Sequence, residues 1–286
     1  MVLIKKPHME LKHPLPPGRT YEQILNHYQV EKEIAARLMS SSREERKIIY
    51  AGMYDELFAK VPDHSRLTRR QNEAETRRAN RGKFALIRRF VDPSIAFAEF
   101  APGDCRFVMD VAPRVKQAIG IDISDQRNPS DPVPPNFKLI IYDGYNLDKV
   151  HDESIDVLFS DQLVEHFHPE DTPLHFQIAS RILKKGGCYI FRTPHIFAGP
   201  HDISKYFSDM PQGFHLKEWT YTELRPVLRQ AGFTKIHSQI MVKHRVFPIP
   251  FVYFITCEKI LGRFPHAKIR KLAEILIREI IITAVK

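Results

Sequence analysis

The stretch Ile95-Ala96-Phe97-Ala98-Glu99-Phe100-Ala101-Pro102-Gly103-Asp104-Cys105 joins a short apolar run to a tight, glycine-containing turn, and the chain changes character there. From residue 94 onward, short apolar runs bounded by turn residues alternate with helical stretches. That is the sequence pattern of β and α units wound around a parallel sheet. The spacing predicts strands over 95–100, 118–123, 137–142, 155–160 and 188–193, with later runs over 233–240 and 251–257 as antiparallel edge strands. The expected fold class is α/β: a doubly wound sheet, mostly parallel, with an antiparallel edge strand and a helical N-terminal extension.

Upstream, Thr20 with Gln23 and Ser42 with Glu45 have the spacing of capping boxes, in which side chains satisfy the free N–H groups of a helix start. Tyr21, Ile24, Leu25, Tyr28 and Leu38 follow the first cap at near-helical spacing, and Ile49, Met53 and Leu57 follow the second. The basic segment 66–89 adds a helix around 84–87. Downstream, 268–286 places Ile269, Leu272, Leu276 and Ile280 on one helical face with basic residues between them. This predicts an amphipathic helix that packs on the domain, with peripheral membrane contact as the alternative. The chain therefore divides into a helical extension or lid (1–93), a ligand-binding α/β domain (94–242), and a C-terminal strand and amphipathic helix packing on that domain (243–286).

Composition excludes several classes. With 286 residues, 43% hydrophobic and 27% charged, the chain is an ordinary globular protein and neither a disulfide scaffold nor a disordered tail. Cys105, Cys188 and Cys257 form no C-x-x-C pair and no even framework, which reads as reduced thiols and a cytoplasmic location. The net charge of +9 is uneven: 1–93 carries +7, 243–286 carries +6, and the centre −4. Basic ends suit a nucleic acid or an anionic surface, or form a solvated exterior. Residues 1–17 lack the apolar core of a signal peptide. The longest apolar run, 246–257, contains Pro248 and Pro250 and is too short to span a bilayer.

In an open parallel sheet, ligands bind beyond the carboxyl ends of the strands, so the turns after them hold the candidate site. After the first, Gly103 lets backbone approach a ligand and a helix start offers free N–H groups. Asp122, nineteen positions on, ends the second strand, where an acid can accept both hydroxyls of a ribose. Asp143-Gly144 follows the third strand, where a carboxylate can accept from an adenine amine. Ser160-Asp161-Gln162-Leu163-Val164-Glu165-His166 closes the fourth. No G-x-G-x-x-G fingerprint is present, which disfavours a nicotinamide dinucleotide.

Together these residues resemble the class I S-adenosylmethionine-dependent methyltransferases over roughly 94–240. Glu99 to Cys105 is similar to that family's E-x-G-x-G-x-G loop, with Ala101 and Cys105 in place of two glycines. Asp122 and Asp143 match its ribose and adenine acids, Leu183-Lys184-Lys185-Gly186-Gly187 its L-K-x-G-G loop, and Ala231-Gly232-Phe233 its A-G-F turn. The resemblance implies a Rossmann-like fold, S-adenosylmethionine as cofactor, and a cofactor site built from Glu99, Phe100, Ala101, Gly103, Asp122, Ile123, Asp143, Gly144 and Ser160.

A methyl sulfonium is already electrophilic, so the protein must chiefly align the acceptor and, for a hydroxyl, remove its proton. The histidines after strands four and five are the candidate bases: His166, His195 and His201, the last two oriented by Asp202. Asp161, Tyr206 and His215 are the candidate acceptor contacts, with Phe207 walling the pocket. The reading is O-methylation of a small molecule or carbohydrate, with no metal ligand assigned and the N-terminal helices as a lid or homodimer contact. A second pattern, Glu165-His166 with His215-Leu216-Lys217-Glu218-Trp219-Thr220, is similar to the metal-binding E-x-x-E-H and H-x-F-E-W-T of small-RNA 2′-O-methyltransferases, with Gln162 in place of the first glutamate. A third reading is a non-catalytic scaffold acting through its basic ends.

Overall fold

The computed structural model describes residues 9–69 and 73–286. Eight strands form one sheet: β1 (Ala96–Phe100), β2 (Gln117–Asp122), β3 (Phe137–Ile141), β4 (Ile155–Asp161), β5 (Leu183–Pro194), β6 (Lys235–Val242), β7 (Arg245–Ile249) and β8 (Glu279–Val285). Their order is β3-β2-β1-β4-β5-β8-β6-β7. The first five run parallel, β8 is antiparallel to both β5 and β6, and β7 closes a hairpin on β6. Strand order reverses between β1 and β4, which opens a crevice at their carboxyl ends.

Alternation along the strands loads both faces of the sheet. Phe97, Val157, Phe159 and Ile190 pack with Leu86 of α4 (Glu73–Ile87) and with Phe107 and Val108 of α5 (Arg106–Val111). Ala98, Phe100, Leu158 and Phe191 pack with Phe176 of α6 (Thr172–Ile182), Leu224 of α7 (Tyr221–Gln230), Phe254 of α8 (Phe251–Leu261) and Ile269 of α9 (His266–Leu276). Both faces are covered, as a parallel sheet requires.

The predicted capping boxes form, at Thr20 for α1 (Tyr21–Ser40) and at Ser42 for α2 (Arg43–Lys60). The apolar faces of these helices meet the segment after β5: Ile34, Leu38, Met53 and Leu57 surround Phe214, and Ile24 and Tyr28 meet Ile203, Tyr206 and Phe207. One buried ion pair ties the roof to the sheet domain. Arg46 of α2 donates to Asp171 at the start of α6 through Nε (2.8 Å) and Nη2 (3.1 Å), and the Tyr145 hydroxyl donates to the same carboxylate at 2.8 Å. With α3 (Ser65–Arg69), α1 and α2 cover the crevice.

Three expectations are corrected. The run 251–257 is no strand but the first part of α8, because Pro250 stands at the helix start, where its missing N–H costs nothing, and Phe254 stacks on Tyr221 at 4.1 Å. The C-terminal helix does not continue to residue 286. It ends at Leu276, and the β-branched run Ile280, Ile281, Ile282 and Thr283 continues through Ala284 as β8, buried on both faces. β8 thus completes the sheet from within, and the run over 233–240 is no edge strand, because β6 lies between β8 and β7 and the edge is β7.

His175 of α6 gives the fold a pH signature. Its Nε2 shares a hydrogen bond with the Tyr189 hydroxyl at 2.9 Å, among Phe100, Phe167 and Phe176. Burial pushes its pKa down to about 3 from 6.5. The folded imidazole stays neutral where the unfolded one ionises. Stability present above pH 6.5 is therefore lost as pH falls toward 3, at about 1.4 kcal/mol per pH unit for this group. His175→Phe should flatten the fall in urea midpoint between pH 7 and pH 5; an unchanged slope would contradict this account.

Candidate active site

A cavity of about 1150 Å³ lies beyond the carboxyl ends of β1, β2 and β4 and is roofed by residues of α1 to α4. It exceeds the range of about 300–1,000 Å³ usual for one small ligand, so it has room for a cofactor and an acceptor together.

The turn after β1 forms its floor. Ala101 (φ 51°), Gly103 (φ 61°) and Cys105 (φ 60°) all take left-handed backbone, at the three positions where the glycine-rich loop pattern has glycine. Only Gly103 does so freely; at Ala101 and Cys105 the conformation costs about 1–2 kcal/mol each. A Cβ added to Gly103 would meet nothing within 4 Å, so the turn faces open space. Asp122, ending β2, is buried and held by three backbone N–H groups: Gly103 donates to Oδ2 at 3.0 Å, and Ile123 and Ser124 donate to Oδ1 at 2.7 and 3.4 Å. Burial raises this carboxyl above its ordinary value, and the three hydrogen bonds oppose the shift. At the end of β1, Glu99 accepts from Lys83 at 3.0 Å through Oε1, while its buried Oε2 has no partner among the described residues. Lys83 of α4 itself lines the cavity.

The opposite wall carries the histidines. His166 Nδ1 lies 2.9 Å from the Phe214 carbonyl, which can only accept, so Nδ1 holds the hydrogen and Nε2 keeps the lone pair. Burial, then the charges of His215 and Arg66, hold His166 well below its ordinary pKa and therefore neutral. His215 pairs through Nδ1 with Glu218 at 2.7 Å. Burial opposes its charge, yet that hydrogen bond and the surrounding carboxylates raise it to about 9. Glu218 is also buried, and hydrogen bonds from His201 and His215 still lower it to about 2. Behind them Glu165 accepts from Thr193 Oγ1 at 2.8 Å through Oε2; its Oε1 is buried and unpartnered, and burial pushes this carboxyl up to about 7.

Among the described residues two clusters bring three metal-type ligand atoms within 4.8 Å of one another. In the first, His27 Nδ1 accepts from Arg19 Nη1 (3.0 Å), His27 Nε2 meets Glu31 Oε1 (2.7 Å), and Glu31 Oε2 accepts from Phe214 N (3.1 Å). A guanidinium on one ligand makes this a hydrogen-bonded pin between α1 and residue 214. The second, Glu165, His166 and His215, retains an unused carboxylate oxygen.

Of the predicted site residues, the cavity brings together Ala101, Gly103, Asp122, Ile123, Gly144, Asp161, His166, His201, Asp202, Tyr206 and His215. Asp161 is locked to Arg192 at 2.7 and 2.9 Å. The others stand elsewhere. His195 is fully buried, with Nε2 on Glu258 of α8 at 2.9 Å and Nδ1 accepting from Phe197 N, so it is a structural residue outside the cavity lining. Phe100 packs beneath His175, Ser160 Oγ bonds the Tyr189 hydroxyl at 2.7 Å, and Glu99 reaches the cavity through Lys83. Asp143 folds back on Tyr145 N and Asn146 N at 2.9 and 2.6 Å and leaves its neighbour Gly144 on the lining. Asp202 accepts from Ser204 N and Gly213 N, both at 2.9 Å; it is Glu218, at 3.2 Å from His201 Nδ1, that orients His201. Sequence reasoning missed Lys83, Arg66 and Glu31, cavity residues on helices away from the turns that follow the strands, and Tyr142, the neighbour of Asp143 in sequence.

A doubly wound sheet with a rigid acid at the end of β2, an open turn after β1 and a roofed cavity defines a nucleoside-cofactor domain. Residues 98–191, about a third of the chain and the span from β1 into β5, match the family described as a methyltransferase domain, and S-adenosylmethionine is the cofactor that such a domain implies. A chain from the Haloferax volcanii complex of the Trm112 methyltransferase activator shares the fold at 18% identity and a TM-score of 0.51, over 74% of this chain and 91% of that one. S-adenosylmethionine-dependent methyltransferases of Mesorhizobium loti (16% identity, TM-score 0.47, 72% and 98% covered) and Thermotoga maritima (16%, 0.48, 73% and 89%) are similar at lower scores. The sequence matches none of the curated proteins compared with it. No helix among the described residues is long and apolar enough to cross a membrane.

The residues present fit the cofactor. Asp122 offers a fixed carboxylate to ribose hydroxyls, and the turn at Gly103 leaves space above it. Lys83, held from behind by Glu99, lines the cavity with a positive charge suited to the carboxylate of an amino-acid end.

Proposed function

We propose that this chain transfers the methyl group of S-adenosylmethionine to a hydroxyl of a small-molecule or carbohydrate acceptor bound beneath α1 and α2. One observation carries the reading: His166 lines the cavity as a neutral imidazole, with Nδ1 committed to the Phe214 carbonyl and Nε2 available as a base. The cofactor supplies an electrophilic methyl on a sulfonium. Held by Asp122 and the Gly103 turn, it would present that methyl to the acceptor hydroxyl with the thioether as leaving group, and His166 Nε2 is placed to take the hydroxyl proton. His215 remains charged against Glu218 and keeps His166 neutral between turnovers. His201, Tyr206 and Asp161 are the acceptor contacts, and the roof pinned by Arg46 to Asp171 limits water. The test is transfer of labelled methyl from S-adenosylmethionine to a panel of sugars and hydroxylated small molecules. The expected product is a base-stable methyl ether; label on nitrogen or in a base-labile ester would overturn the reading.

One observation favours a second reading. Glu165 Oε1 is buried without a partner beside His166 and His215, which suits a divalent cation and methylation of an RNA 2′-hydroxyl. Gln162 lines the cavity where that pattern has a further glutamate. Chelation separates the two: the first reading expects turnover unchanged by EDTA, the second expects its loss and its return with added divalent metal.

A further inference from the structure

Thirteen large apolar side chains are exposed among the described residues, and eight of them fall within 242–275, about an eighth of the chain: Val242, Phe247, Val252, Tyr253, Ile260, Phe264, Leu272 and Ile275. Chance placement would put one or two there. The cluster centres on the hairpin of α8 and α9. On α8, Phe254, Glu258 and Leu261 point inward, Phe254 against Tyr221 and Glu258 against His195, while Val252, Lys259 and Ile260 share the opposite stripe, and Arg263 is exposed just past the helix end. On α9, Ile269 and Ala273 are buried, and Lys268, Lys271, Leu272 and Ile275 face outward. Phe264, 55% exposed, stands in the turn between the helices.

The charges on this face are mostly basic. Lys259, Arg263, Lys268 and Lys271 are exposed, Glu258 is turned into the domain, and Glu274 is the one exposed carboxylate of the two helices. We propose that the α8–α9 hairpin docks on the surface of an anionic lipid bilayer. Val252, Ile260, Phe264, Leu272 and Ile275 enter the boundary between headgroups and acyl chains, and the lysines and arginine meet lipid phosphates. Lysine is depleted at the core of protein interfaces but enriched on helices that lie on membranes, and this decides against a partner protein. The contact is peripheral, since no described helix is long enough to cross. The hairpin also sits beside the acceptor loop: His266 of α9 meets the Ile196 carbonyl at 3.0 Å, a few residues before His201 and Asp202 on the cavity wall. Docking would hold the mouth of that loop near the bilayer whatever the acceptor is.

The test is cosedimentation of the full chain with vesicles of phosphatidylcholine alone and with added phosphatidylglycerol. Binding is expected to the anionic vesicles, to weaken at high salt, and to be at least about tenfold poorer on phosphatidylcholine. The double variants Phe264→Glu with Ile275→Glu, and Lys268→Glu with Lys271→Glu, should each lower binding about tenfold or more with melting temperature unchanged. Ile48→Glu, which removes an exposed apolar side chain from α2, should leave binding intact. Absence of binding to anionic vesicles, or equal binding by the hairpin variants, overturns the proposal. So does a dimer in sedimentation equilibrium that Ile275→Glu dissociates, because a second copy would then occupy this face.

Discussion

Asp122→Ala should lower affinity for S-adenosylmethionine and S-adenosylhomocysteine about a hundredfold or more. The carboxylate is buried and fixed by the N–H groups of Gly103, Ile123 and Ser124, so its remaining acceptor positions are aimed before any ligand arrives. Hydrogen bonds to a charged group contribute about 1.5–3 kcal/mol each, and two ribose hydroxyls lost together correspond to roughly two to four orders of magnitude in affinity. Alanine also leaves three backbone donors without their acceptor, which should lower the melting temperature by several degrees. Asp122→Asn separates the effects, because it keeps the volume and part of the hydrogen bonding. Calorimetric titration of both variants, beside their thermal melts, checks the prediction. Wild-type affinity in a folded Asp122→Ala protein would place the nucleoside somewhere other than the end of β2.

His166→Ala should reduce turnover by about 10²–10⁴ while S-adenosylhomocysteine binds as before, the range typical of losing a positioned general base. The split between the two measurements matters, since a packing role for His166 would disturb both. Its Nδ1 anchor on the Phe214 carbonyl makes the ring orientation a property of the segment after β5, which α1 holds through Glu31 and the Phe214 N–H. Unchanged turnover in the variant would remove His166 from the chemistry. Equal loss on adding chelator to the wild-type protein would move it from base to metal ligand.

The parts of this architecture visible in the sequence were those set by local periodicity. The five parallel strands and both capping boxes follow from residue spacing within one element, and Gly103 and Asp122 sit nineteen residues apart because one helix separates their strands. What the sequence hid was set by distant contacts. His195 and His201 lie in the same polar stretch, and only Glu258, sixty-three residues further on, turns the first inward. The run 251–257 has the length at which an apolar strand and a buried helix look alike. In 269–280 the residues Ile269, Leu272, Leu276 and Ile280 keep helical spacing across the break at Ile277 and Arg278, and the register of β8 between β5 and β6 appears only once the sheet is assembled. Lys83 and Arg46 act across the fold on Glu99 and Asp171, and no spacing rule links them to those partners.

The position of β8 has a consequence for synthesis on the ribosome. This strand, at 279–285, pairs with β5 on one side and β6 on the other, so it is the last described segment translated and the one that joins two halves of the sheet. Until residue 285 clears the exit tunnel, the nascent chain carries two unpaired strand edges, one along β5 and one along β6, on either side of a gap one strand wide. Such edges template pairing with other chains, and the interval before β8 emerges is when this sheet most needs a chaperone.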